Sequence, residues 1–92
     1  MNFTVTYHPE VVEEDIPALP RKERDRIKAA IEQKLITHPE VFGKPLRRSL
    51  RGYRKLRVGD YRVIFRIQGK TVKIFVIDHR SVVYEQHRQR FS

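Results

Sequence analysis

The chain has 92 residues, 39% hydrophobic and 34% charged. That allows one small domain over 1–92 and leaves no apolar run near the roughly 20 residues needed to cross a bilayer. With no cysteine, disulfides and thiolate metal sites are excluded, and the start MNFTVTYHPE lacks the basic and apolar regions of a signal peptide, so a cytoplasmic location is expected. Net charge is +9, but residues 1–41 hold 6 Lys/Arg against 8 Asp/Glu while residues 42–92 hold 14 against 3. All the excess sits in the second half, which points to a polyanionic partner, nucleic acid being the commonest.

Residues 2–7 alternate and are rich in β-branched and aromatic side chains, the pattern of a strand. Pro9 sits in the first turn of a short helix that Pro17 and Pro20 end. A longer helix follows from 20 to about 35–37, with Ile27, Ala30, Ile31, Lys34 and Leu35 on one stripe. Residues 38–52 carry Pro39, Gly43, Pro45 and Gly52 and are expected to be an irregular connector. Three strands are expected at about 53–58, 61–67 and 71–77, with turns at Gly59-Asp60 and Gly69-Lys70. The last is nearly continuously apolar, the mark of an inner strand covered on both faces. A short helix or helical turn is expected from 80 to about 88. The order predicts an α+β domain: a small antiparallel meander sheet of about four strands, with two N-terminal helices on one face.

The hairpin carries the sharpest signal. With Gly59-Asp60 as its turn, Arg57 opposes Arg62, Lys55 opposes Ile64, and Tyr53 opposes Arg66. One face then holds Leu56, Val58, Tyr61, Val63 and Phe65, with Arg54 at its margin, and faces the helices. The other holds Tyr53, Lys55, Arg57, Arg62, Ile64 and Arg66. Like charges opposite each other destabilise a sheet, and Asp60 is the only acid between Glu40 and Asp78. Against the bland alternative of a solvated face stands the fork of Arg donors, which matches phosphate oxygens. A second cluster follows the inner strand: His79 titrates near neutrality and could move protons, and Tyr84 could donate a proton or stack on a base.

Together, residues 52–65 (GYRKLRVGDYRVIF) and 76–84 (VIDHRSVVY) resemble the RelE branch of the RelE/ParE toxin superfamily, and the resemblance covers nearly the whole sequence. It implies a small endoribonuclease that enters the ribosomal A site and cuts messenger RNA there, without metal or other cofactor. It also implies a RelB-like antitoxin as partner, and operator DNA bound only through the antitoxin complex. By position, Lys55, Arg57 and Arg62 match the family's basic hairpin, Arg80 and Tyr84 its closing motif, and His79 a histidine of many relatives. The sequence departs from some ribonuclease members at Tyr53, where they carry Lys, and near Asp78, where they carry Arg. These departures leave the general base open.

Metal-free cleavage uses the 2′-hydroxyl as nucleophile and needs a base, an acid and positive charge. Arg57, Arg62 and Arg80 could supply the charge, and Lys55 the base only if the surrounding cations, which disfavour its charged form, lower its pKa. Tyr84 or His79 could be the acid, or the roles could be exchanged. Tyr53 could stack on a base, Arg66 extends the cationic face, and Lys44, Arg47, Arg48 and Arg51 would grip RNA backbone. The alternatives are a ParE-like inhibitor of DNA gyrase, and an inactive or generic nucleic-acid-binding relative, since a shared fold does not fix activity.

Overall fold

The computed structural model of the protein describes residues 2–91. Strand β1 (Thr4–Tyr7) leads into helix α1 (residues 9–18) and then, after Pro20, helix α2 (residues 21–35). Both helices widen to i→i+5 bonding: Ile16 N–H donates to Val11 C=O, and Ile36 N–H to Ile31 C=O. The expected stripe holds, because Ile27, Ile31 and Leu35 are buried. After α3 (Pro39–Phe42) come β2 (Lys44–Pro45), β3 (Arg54–Val58), β4 (Tyr61–Gln68) and β5 (Thr71–His79). The spatial order is β1-β5-β4-β3-β2, with β1 parallel to β5 and the other pairs antiparallel. No described helix is long and apolar enough to cross a membrane.

The class is the expected α+β, but the sheet has five strands rather than about four. The extra one is β2, only two residues long. Pro45 hides it from pattern reading, yet an edge strand is where a sheet tolerates proline. The hairpin register is as expected, with Arg57 opposite Arg62 and Leu56 opposite Val63. Gly59 and Gly69 each take a left-handed φ, near +60°, at the first turn position. Only the first central residue of each turn does so, the type II′ pattern that suits strand twist.

Two apolar layers flank the sheet. On one side Val11, Leu19, Ile27, Ile31 and Leu35 pack on Leu56, Val58, Val63, Phe65, Val72, Ile74 and Ile77. On the other, Val83, with Tyr84 and Phe91 partly buried, covers Tyr53, Ile64, Phe75 and Val76. A bulge in β5 explains why Phe75 and Val76 point the same way: Ile64 pairs with Val76, but Phe65 pairs with Ile74. Of the helix or helical turn expected over 80–88, the covering segment forms turns and no continuous helix. It is a run of turns, with Val83 N–H on His79 C=O and Gln86 N–H on Val82 C=O, ending in a 3₁₀ turn at Arg88–Phe91. Val82, Val83 and Tyr84 are weak helix formers, and side-chain anchors fix the path instead.

The main anchor is Arg90. β1 ends opposite Ile74, so the β5 edge beyond it lacks a strand partner. Asp15 Oδ2 accepts Ile77 N–H at 2.9 Å, and Arg90 Nη1 donates to Phe75 C=O at 3.1 Å. The two side chains meet in a bidentate pair at 2.6 and 3.0 Å, and Arg90 Nε donates to Glu10 Oε2 at 2.7 Å. Arg90 and Asp15 are 5% and 4% exposed.

Arg90→Ala strands a buried carboxylate and is expected to lower unfolding free energy by about 3–5 kcal/mol in urea titration. Asp15→Leu/Arg90→Met should remain destabilised, unlike an ordinary buried pair made apolar, because Ile77 N–H and Phe75 C=O lose their partners. A double variant as stable as the parent would show that these edge bonds do not matter. At Gly43 an added Cβ would overlap the fully buried Phe65 ring. Gly43→Ala is therefore expected to cost about 1–3 kcal/mol, read as a lower thermal midpoint.

Candidate nucleic-acid interface

The cations gather because the ladder lines them up. Lys44 on β2 is directly opposite Lys55 on β3, and Arg57 on β3 is directly opposite Arg62 on β4. Where β2 stops, a cleft opens along the β3 edge, lined by Lys34, Phe42, Lys44, Lys55, Leu56, Arg57 and Arg62. Five of these carry positive charge and none is a carboxylate. Arg57 is exposed, while Arg62 is half-buried, its Nη1 donating to Gly59 C=O at 3.0 Å and Tyr61 C=O at 2.9 Å. Such a site suits phosphate: it offers guanidinium forks at the mouth and carbonyl-fixed geometry behind.

Tyr84, on the segment that covers this face, packs on the layer that includes Ile64 and feels the Arg62 charge. Burial pushes its phenol above the ordinary value of 10.0, and the Arg62 charge partly offsets that. The phenol is therefore protonated throughout the neutral range. It borders a depression shared with Ser49, Leu50, Arg88 and Phe91. Arg47, Arg48 and Arg51 are exposed on the nearby connector. Arg48 holds a left-handed φ of 58°, the one positive φ among described non-glycine residues.

Other expected site residues lie elsewhere. His79 is directly opposite Tyr61, whose ring packs on the helix-side core, and the two rings meet edge-to-face at 5.7 Å. Its Nδ1 accepts Ser81 N–H at 3.2 Å and lies 2.8 Å from Ser81 Oγ. It therefore sits across the sheet from Lys55 and Arg57. Arg80 is at the hairpin turn, 3.8 Å from the Asp60 carboxylate, with both side chains well exposed. The expectation that Tyr53 stacks on a base is corrected: it is 5% exposed, wedged edge-on between Phe75 and Phe91. Arg66 lies over its ring at 5.1 Å. The covering segment, not the strand alternation, buries this tyrosine.

Lys34 and Phe42 were missed as cleft residues. Lys34 belongs to the α2 stripe, and its i+3 spacing from Ile31 was the available signal. Among the described residues no group of three or more His, Asp or Glu could hold a metal ion.

The sequence model of the ParE toxin of type II toxin–antitoxin systems (parDE) matches residues 6–84. Toxin RelE of Mycobacterium tuberculosis is 35% identical over 75 residues, 79% of this chain and 77% of that protein. Toxin RelG of the same organism is 43% identical over 54 residues, 56% of this chain; the match spans only 62% of RelG. The fold superposes on one subunit of the toxin–antitoxin complex RelBE2 from M. tuberculosis with a TM-score of 0.81 and 33% identity, covering 87% of this chain and 100% of that one. A mutant of E. coli toxin RelE in the free state shares the fold at a TM-score of 0.72 and 18% identity, over 98% of both proteins. With a family match over most of its length and a RelE relative that it largely covers, the protein belongs to the RelE/ParE superfamily of type II toxins, on the RelE side.

Proposed function

We propose that the protein is a ribosome-dependent mRNA endoribonuclease that stops translation by cutting the message in the A site. The observation that carries this reading is the Arg57–Arg62 pair, flanked by Lys55 in one cleft and by the protonated phenol of Tyr84. In the reaction the 2′-oxygen attacks the adjacent phosphorus as its proton leaves, and the P–O5′ bond breaks. The products are a 2′,3′-cyclic phosphate and a 5′-hydroxyl. Arg57 and Arg62 would stabilise charge on the phosphorane-like transition state. Lys55, in its neutral amine form, would take the 2′-hydroxyl proton and become the ammonium, and Tyr84 would give its phenolic proton to the 5′-oxygen. The position of His79 beside Tyr61 favours Tyr84 over His79 as the acid. Arg80 would act from the hairpin turn, outside the cleft, while Lys44, Arg47, Arg48 and Arg51 would hold RNA backbone.

The protein would work in the cytoplasm and be neutralised by a cognate RelB-like antitoxin. Solved relatives seen as toxin–antitoxin complexes support that partner. Operator DNA would be met only through that complex.

Primer extension on a defined message, with programmed ribosomes and with naked message, tests the activity. Cuts inside the A-site codon are expected only with ribosomes, and Arg62→Ala should slow them ~10²–10³-fold. An Arg62→Ala variant with full activity would remove the proposed role. Intact messages combined with inhibited DNA supercoiling would instead support the gyrase reading, which the match to the ParE toxin family favours.

Tyr84 has its own test. Its protonated form is favoured by the fold, so its stabilising contribution holds below the ordinary pKa of 10.0 and fades as pH rises through the elevated value. Subtracting the phenolate absorbance titration of Tyr84→Phe from that of the parent should leave a transition centred above pH 10. A midpoint at or below 10 would contradict the buried-donor role.

A further inference from the structure

Arg62 has two direct cross-strand neighbours: Arg57 on β3 and Asp78 on β5. Directly opposed residues share a face, with Cβ atoms about 4.5–5.5 Å apart. A carboxylate so placed is within reach of a guanidinium, and Arg–carboxylate pairs are among the strongest polar contacts. Yet no ion pair joins Arg62 to Asp78 among the described residues. Asp78 Oδ1 accepts His79 N–H at 2.7 Å, and Oδ2 lies 2.8 Å from His87 Nε2. Both carboxylate oxygens are engaged, at a site where the His87 side chain is 13% exposed and that of Asp78 29%. Arg62 meanwhile donates to backbone carbonyls, which leave its charge in place.

We infer that His87 is a positioning residue: it holds the Asp78 carboxylate away from Arg62 and so keeps the Arg62 guanidinium available to an RNA phosphate. The inference rests on the reading of Arg62 as a phosphate-binding side chain. Without His87, Asp78 Oδ2 has no partner, and the nearest strong donor along its own ladder row is Arg62. A pair formed there neutralises the middle of the cationic row and sets a negative charge where a phosphate would sit. The His87–Asp78 bond also closes residues 78–87, which include Tyr84. A purely structural role for His87 is therefore the competing explanation, and the two differ in what removing the carboxylate does.

The test is binding of a short 2′-O-methyl oligoribonucleotide, which lacks the nucleophile, by fluorescence anisotropy over a series of salt concentrations. His87→Ala is expected to weaken binding roughly threefold or more and to lower the salt slope by about 0.7, as Arg62→Ala does. His87→Gln, whose amide can still donate to Asp78, should stay near the parent. Asp78→Asn/His87→Ala should recover the affinity and slope of the parent. A double variant no better than His87→Ala would overturn the inference and leave His87 as a tail anchor. If His87→Ala does not fold, Asp78→Asn alone decides: binding equal to or tighter than the parent supports the inference, and weaker binding overturns it. No step requires cleavage. A parent protein that follows this series but leaves messages intact on ribosomes would overturn the proposed activity alone.

Discussion

The pair formed by Asp15 and Arg90 does what a strand would otherwise do. β5 is an inner strand of the sheet, but β1 covers only part of its edge. Past that point a carboxylate takes one backbone N–H and a guanidinium serves one backbone C=O. The same two groups then satisfy each other. A buried salt bridge is ordinarily weak evidence for stability, because desolvation offsets the attraction. Here each partner also closes a backbone bond whose loss would cost about 1–3 kcal/mol. The pair further ties α1, on one side of the sheet, to the terminal segment on the other. That segment buries Val83 and carries Tyr84, so the position of the phenol in the candidate site follows from a contact distant from it.

The cationic row is tolerable for reasons of magnitude. Two unit charges about 5 Å apart in water repel by roughly 1 kcal/mol. Burial of a single large apolar side chain contributes about 1.5–3 kcal/mol, and Leu56, Val58, Val63 and Phe65 are all buried behind the Lys55, Arg57 and Arg62 row. The sheet can therefore carry mispaired charge on one face while the other holds it together. Carbonyl acceptors around Arg62 and the exposure of Arg57 reduce the strain further.

Much of this was legible in the sequence because the Gly59-Asp60 turn fixes register, and register fixes which side chains share a face. The Arg57–Arg62 pair and the apolar face behind it follow directly. The bulge at Phe75 was not legible. Counting back from the Gly69-Lys70 turn without it places Ile77 opposite Arg62; the extra residue moves Asp78 there instead. One inserted residue thus concealed the acid next to the site. Tyr53 was misplaced because alternation shows which face a side chain takes but not whether another segment covers that face. Arg90 resembled any other cation in a basic tail. Its burial depends on Asp15, 75 residues away in sequence, a pairing that no local pattern reveals.

The parallel pairing of β1 with β5 has a kinetic consequence. Thr4 meets Thr71, so the first strand can dock only after a long loop closes, and the entropy of that closure must be met before the contact returns anything. The β3–β4–β5 meander needs only two tight turns. Lys55, Arg57 and Arg62 all belong to it. The cationic surface is thus built from the most local contacts in the fold, while Tyr84 is set in place by the most distant ones. Folding order separates the two halves of the candidate site: the charge that would attract an RNA phosphate can assemble early, and the Tyr84 phenol is set only when the terminal segment locks onto α1.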